Sequence, residues 1–152
     1  AALAVLAAKP DSPVGILADG TKRATVFAPT DRAFRLLVKD LTGKTIWREK
    51  RIFNTLVGVA GVDTIEQVLL YHVVPGKTLT SGKVLRADGV ALTTAAGLPI
   101  TVKVRKHPLQ IRLIDRDRND RNPRVVLRAI DVNKGNKQVA HGIDRVLRPI
   151  DL

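Results

Sequence analysis

Residues 25–34 read TVFAPTDRAF, and this decamer encodes a strand, its terminator and the start of a helix. Ala24–Ala28 (ATVFA) carries β-branched and aromatic residues at its middle, the composition of a short strand. Pro29 lacks the amide hydrogen that would extend a ladder, so the strand is predicted to stop there. Thr30 then offers a hydroxyl as N-cap of a helix running through Leu41, and Asp31 lies near the positive end of its dipole. Phe34, Leu37, Val38 and Leu41 follow the i, i+3, i+4, i+7 spacing that predicts one buried face, and Gly43 ends the helix.

Outward from this stretch, Ala1–Ala8 reads as a short helix stopped by Pro10, and Asp11–Gly20 is mixed. A second long helix is predicted over Glu49–Ala60, with Ile52, Phe53, Leu56 and Val57 on its inner side. A third starts at Asp63, with Glu66 placed to complete a capping-box-like pair. Ile65, Val68, Leu69 and His72 share one of its faces, and Pro75-Gly76 closes the segment. Beyond Gly76 the pattern alternates. Val90–Thr94 and Ile100–Lys106 read as strands, with Ile100, Val102 and Val104 pointing one way and Thr101, Lys103 and Arg105 the other. Gln110–Ile114, Arg124–Ile130 and Gln138–Leu147 continue that pattern. Helices followed by strands predict an α+β fold with a largely antiparallel sheet.

The chain has 152 residues and a net charge of +12. Its length suits one domain, and no internal repeat or linker divides it. A hydrophobic fraction of 45% is enough apolar surface to exclude a disordered tail. No run approaches the about 20 apolar residues of a membrane-spanning helix. The absence of Cys excludes disulfide scaffolds, thiol catalysis and thiolate metal sites. The absence of Met points to a processed product or an excised segment. Ala1–Ala8 lacks the basic leader of a complete signal peptide, and no N-glycosylation sequon occurs.

Three blocks stand in order: TVFAPTDRAF at 25–34, LYHVVPG at 70–76 and VAHGIDRVLRP at 139–149. Together they resemble the signatures of the fasciclin domain family over nearly the whole chain. The resemblance implies a single fasciclin-like domain over 1–152, a β-wedge of two packed, largely antiparallel sheets flanked by helices concentrated in the N-terminal half. It also implies a non-enzymatic adhesion or interaction module, extracellular or at the cell surface, whether secreted or anchored. Its partner would be a cell-surface or matrix protein or glycan. In animal members the Tyr-His region is implicated in integrin-dependent adhesion, and Tyr71 and His72 match that pair. The signature positions are Thr25, Phe27, Pro29, Thr30, Phe34, Pro75, Gly76, His141, Asp144 and Pro149. Their local chemistry reads as folding chemistry: a strand into a Pro-enforced turn and capped helix, a helix ended by Pro-Gly, and a strand in which Gly142 permits close approach.

His72 and His141 fall on apolar faces and read as neutral, hydrogen-bonded core residues; buried, His72 could serve a partner only through the fold. His107 sits in a basic turn. Asp115, Asp117 and Asn119 of DRDRNDRN reproduce three positions of an EF-hand loop. Asp120 replaces its glycine and Val126 its bidentate Glu, so the stretch reads as a solvated hairpin tip and not as a calcium loop. The histidines are too far apart for a zinc motif. Gly43-Lys44-Thr45 and Gly76-Lys77-Thr78 lack the first glycine of a phosphate loop, and Ser12 and Ser81 lie in no nucleophile elbow. No catalytic, cofactor or metal residues are assigned.

Of the net charge, +7 lies in residues 101–152. Lys103, Arg105, Arg112, Arg124 and Arg128 are predicted on strand surfaces, a candidate face for acidic polysaccharide, anionic lipid or nucleic acid. Only five aromatics exist (Phe27, Phe34, Trp47, Phe53 and Tyr71), most of them predicted on apolar faces. A base-stacking platform is hard to build from these, so an acidic cell-envelope partner is favoured over specific nucleic acid. A small-molecule carrier would need an apolar pocket, a property of the fold.

Overall fold

In the computed structural model, which describes residues 1–151, the strand of the opening decamer, β1 (Ala24–Pro29), is the centre of a three-stranded sheet. On one side it pairs antiparallel with β2 (Val73–Pro75), through Thr25 opposite Val74. On the other it pairs parallel with β6 (Gln138–Ile143), through Phe27 opposite His141. The three signature blocks therefore supply the three strands of one sheet. Pro29 ends β1 opposite Ile143, and the Thr30 amide takes the Ile143 carbonyl at 3.1 Å, so the missing proline N–H leaves no gap.

A second sheet is an antiparallel meander of β3 (Ala91–Thr93), β4 (Pro99–Lys106) and β5 (Leu109–Ile114). Alternation along β4 and β5 buries Ile100, Val102, Ile111 and Leu113. These pack with Phe27, Tyr71, Val74, Ile143 and Leu147 in a core that joins the two sheets. The short helix α5 (Ser81–Leu85) adds Val84 to it. Three of the four strand pairings are antiparallel, so the α+β architecture has largely antiparallel sheets, with the β1–β6 pair as the exception.

The other helices build a second core. α1 (Ala2–Ala8) packs Val5 against α4 (Val62–Tyr71), beside α2 (Asp31–Thr42) and α3 (Glu49–Ala60). Thr30 caps α2, its hydroxyl accepting the Ala33 amide at 3.3 Å, and Gly43 at φ +71° closes it in the left-handed conformation that glycine adopts without strain. Among the described residues no single helix is long and apolar enough to cross a membrane.

Four expectations are corrected. Asp63 and Glu66 do not form a capping box: α4 begins after Gly61 with no side-chain cap, and both carboxylates bind Lys9 of the neighbouring segment instead. Arg124–Ile130 is not a strand. Arg124 and Val125 make single bridges to Arg112 and Ile143, stitching the second sheet to the first, and a 3-10 turn at Leu127–Ala129 follows. That turn crosses β6 at Gly142, where a Cβ would stand 2.9 Å from the Ala129 side chain. Gln138–Leu147 is strand only as far as Ile143, because the Asp144 carboxylate turns back to accept the Arg124 amide. Finally, Phe34 is only half-buried; Ala33, Leu37 and Val38 carry the buried face of α2.

The two phenylalanines of the first block should thus differ in weight. Phe27→Ala, at a position with 0% exposure, should cost about 3–5 kcal/mol in urea unfolding. Phe34→Ala should cost about half of that, and an equal or larger loss at Phe34 would contradict this packing.

Candidate functional site

Helix α4 ends in the Tyr-His pair, and both side chains turn inward. Tyr71 has 0% exposure; its hydroxyl donates to the Pro99 carbonyl at 2.9 Å, tying α4 to the second sheet. Burial pushes the phenol up to about 12, so it stays a donor. His72 donates from Nδ1 to the Val68 carbonyl at 2.6 Å and accepts the Leu147 amide at Nε2, 2.8 Å. Burial lowers its pKa to about 4, against the weaker raising effect of the Val68 bond. The imidazole is a neutral fastener between α4 and the closing block.

His141 has an equivalent role on β6. Its Nδ1 accepts the Asp131 amide at 3.2 Å and its Nε2 donates to the Leu79 carbonyl at 2.7 Å. The Thr25 hydroxyl holds the same loop, accepting the Leu79 amide and donating to the Lys77 carbonyl, each at 2.8 Å. Ser81, Asp131 and His141 therefore lie close together, an inventory that suggests nucleophilic catalysis. Their bonding is different. Ser81 donates to the Asp131 carboxylate at 2.5 Å, and the same carboxylate accepts the Ser81 amide at 2.7 Å. These two bonds hold the Asp131 carboxyl below the usual carboxylate range. Nucleophilic activation needs the hydroxyl bonded to the base; here the hydroxyl donates to Asp131, whose carboxylate also takes the first amide of α5, while the imidazole binds backbone at both nitrogens.

The DRDRNDRN stretch is no solvated tip. It folds around Arg148, a residue only 4% exposed. Arg148 pairs with Asp40 at 2.6 Å and with Asp117 and Asp120 at 3.2 Å each, joining α2, this loop and the closing block. Asp115 accepts the Arg148 amide at 2.9 Å, and burial pushes its carboxyl up to about 6. The centre of the would-be calcium loop is taken by a cation from the chain itself. No group of three or more His, Asp or Glu side chains is arranged to hold a metal among the described residues.

The basic residues divide. Lys103 on β4 faces Arg112 on β5, and Arg112 bridges to Arg124 in the segment beside β5, so three cations lie side by side across two strands and that bridge. Arg105 shares that outer face of β4 and is exposed, as are Lys103 and Arg112. None of the four has a carboxylate partner among the described residues. Like charges directly opposite oppose pairing. Arg128 does not join them on a strand; it lies exposed in the 127–129 turn.

The remaining signature positions are also scaffold. Asp144 accepts the Arg124 amide and the Arg121 guanidinium, each at 2.7 Å. The Gly76 amide bonds the Arg23 carbonyl; Pro75 is exposed and Pro149 buried.

Residues 14–149 match the family model for the fasciclin domain. The chain belongs to the fasciclin domain family. No curated protein matches it in sequence. Among solved structures, it is similar to a FAS1 domain pair from the insect cell adhesion molecule fasciclin I, with a TM-score of 0.58 and 18% identity. That similarity covers 96% of this chain and 43% of the other, so the chain spans less than half the length of its structural relative. At this identity the likeness concerns the fold.

Sequence spacing located the fasciclin blocks but not the Arg148 cluster, whose members lie on three separated segments. The one local signal was the charge alternation of DRDRNDRN, which reads equally as a solvated turn.

Two measurements test these assignments. Between pH 6.5 and 4 the unfolded chain binds a proton that folded His72 refuses, so its contribution is whole above pH 6.5 and falls away towards pH 4. Asp115 acts with the opposite sign between about 6 and 3.8, and it is common to parent and variant. The stability gap between the parent and His72→Gln should therefore shrink by about 3 kcal/mol on acidification from pH 7 to 4; a constant gap would contradict the neutral fastener. Asp117→Ala should cost about 3 kcal/mol by uncovering a buried guanidinium, while calcium should leave the parent melting temperature unchanged.

Proposed function

We propose that this chain is a non-enzymatic, extracytoplasmic interaction module of the fasciclin type, one domain over residues 1–152, secreted or anchored at a cell surface. Its partner is a cell-surface or matrix protein or glycan, in keeping with a fold shared with an insect cell adhesion molecule. The observation that carries this reading is the bonding of the signature histidines: all four ring nitrogens are engaged by backbone groups. Tyr71 and His72 support recognition through the scaffold and not by touching a partner, since both are buried. Cells or matrix fragments should therefore adhere to surfaces coated with the chain. Tyr71→Phe, assayed where it remains folded, should adhere like the parent. Turnover of a defined substrate by the purified chain, abolished by a point change at a pocket, would overturn the reading.

A second reading, polyanion binding, is favoured by the Lys103–Arg112–Arg124 row. Three uncompensated cations in a row across the sheet and the segment bridged to its edge suit a linear polymer of sulfates, carboxylates or phosphates lying along them. The parent should be retained on immobilised heparin at low salt, with affinity falling log-linearly in salt. Changing Lys103, Arg112 and Arg124 together to Glu should abolish retention, whereas Arg128→Glu should weaken it little. Loss that is equal in both variants would assign retention to net charge alone.

A further inference from the structure

The two helices that follow the first block leave their shared apolar face unfilled. Phe34 on α2 and Phe53 on α3 are only half-buried, although the spacing of each helix directs them inward. Between them is a cavity of about 230 Å³, floored by Leu37, Ile52, Leu56 and Val68. An apolar cavity of about 150 Å³ already stays dry and admits a benzene-sized guest, so this one has room for a longer apolar body. Trp47 forms its rim. The indole is 72% exposed, an unusual exposure for so large an apolar ring. The Arg35 guanidinium holds it in place, 4.8 Å from the ring centroid.

Trp47 also lines a second, open groove with Lys44, Arg48 and Arg51. All three are exposed, and none has a carboxylate partner among the described residues. The local sequence, KTIWREKR at 44–51, contains four cations against Glu49. The lining of the apolar cavity carries Asp31 and Glu49 against the single cationic side chain of Arg35, whereas the charged side chains of the groove are cations alone. The two pockets thus share one indole, the first offering apolar volume and the second unpaired positive charge.

We propose that this site binds a single-chain anionic amphiphile, an acyl chain carrying a carboxylate or phosphate. The chain enters between Phe34 and Phe53, and the head group crosses Trp47 to lie against Lys44, Arg48 and Arg51. This occupant matches both halves of the site: the cavity takes apolar area that is otherwise open to water, and the head pairs with cations that lack a counter-charge. The site is separate from the basic face of the second sheet, and neither depends on the other.

Trp47 is the sole tryptophan, so its emission reports the site directly. The probe is decanoate below its micelle concentration, with decyltrimethylammonium as the same chain bearing a cationic head. Decanoate should shift Trp47 emission saturably, bind with a stoichiometry of about one by calorimetry, and raise the melting temperature, as any ligand of the folded state must. Decyltrimethylammonium should bind at least about tenfold more weakly, and the surface double variant Arg48→Glu with Arg51→Glu should reverse that preference. Leu69→Phe, on the half-buried cavity wall, should weaken both chains about tenfold or more by filling the space. Four results would each overturn the proposal: no saturable shift, many-site binding with a lowered melting temperature, indifference to head-group sign, or a response only to phosphatidylglycerol vesicles. The last would make the segment a bilayer-surface contact. Failure on any of these leaves the heparin behaviour of Lys103, Arg112 and Arg124 unaffected, so the two readings fail separately.

Discussion

The central strand β1 is the constraint on which this structure depends. It pairs on both edges with segments far away in sequence, Val73–Pro75 on one side and Gln138–Ile143 on the other. Its backbone cannot be satisfied by local structure, since an interior strand must exchange hydrogen bonds with two neighbours. Closing such distant pairs costs chain entropy before contacts repay it. The side chains of the three blocks reduce that difficulty by fastening the strands at their ends. Thr25 and His141 grip the loop at Lys77 and Leu79, and His72 holds the Leu147 amide.

The polar groups that look reactive in isolation are those fasteners. A buried imidazole that donates at one nitrogen and accepts at the other satisfies two backbone groups that would otherwise be orphaned, at a cost of about 1–3 kcal/mol each. The same logic governs Arg148. A guanidinium withdrawn from water is tolerable only with carboxylates around it, and Asp40, Asp117 and Asp120 come from two different parts of the fold to surround it. Positive charge that is needed inside is neutralised there. The excess is left outside, concentrated on the second sheet and around Trp47, where a partner can supply the opposite charge.

Local features carried much of the architecture. The ends of α2 were legible because Thr30 and Gly43 act through their own backbone neighbourhood; the limits of α3 followed from its apolar spacing, and those of β4 and β5 from strict alternation. Asp63–Glu66 was misleading for the same reason: a capping box is a local pattern, and Lys9, distant in sequence, competed successfully for both carboxylates. The 124–130 segment had a strand-like composition, yet its two bridges reach different sheets, and no continuous ladder can do that.

From the order of residues alone come the four helices before Gly76, the strands of the meander, the three family blocks and the inward direction of His72 and His141, because each rests on spacing within a few residues of itself; the short α5 beyond Gly76 does not. Which strands meet was a matter for the folded chain, since pairing partners are chosen by burial across the whole molecule. The Arg148 cluster, the cation row and the cavity beside Trp47 have the same origin. Each is built from side chains on separate elements, and their distances exist only once the two sheets and the helical layer have packed.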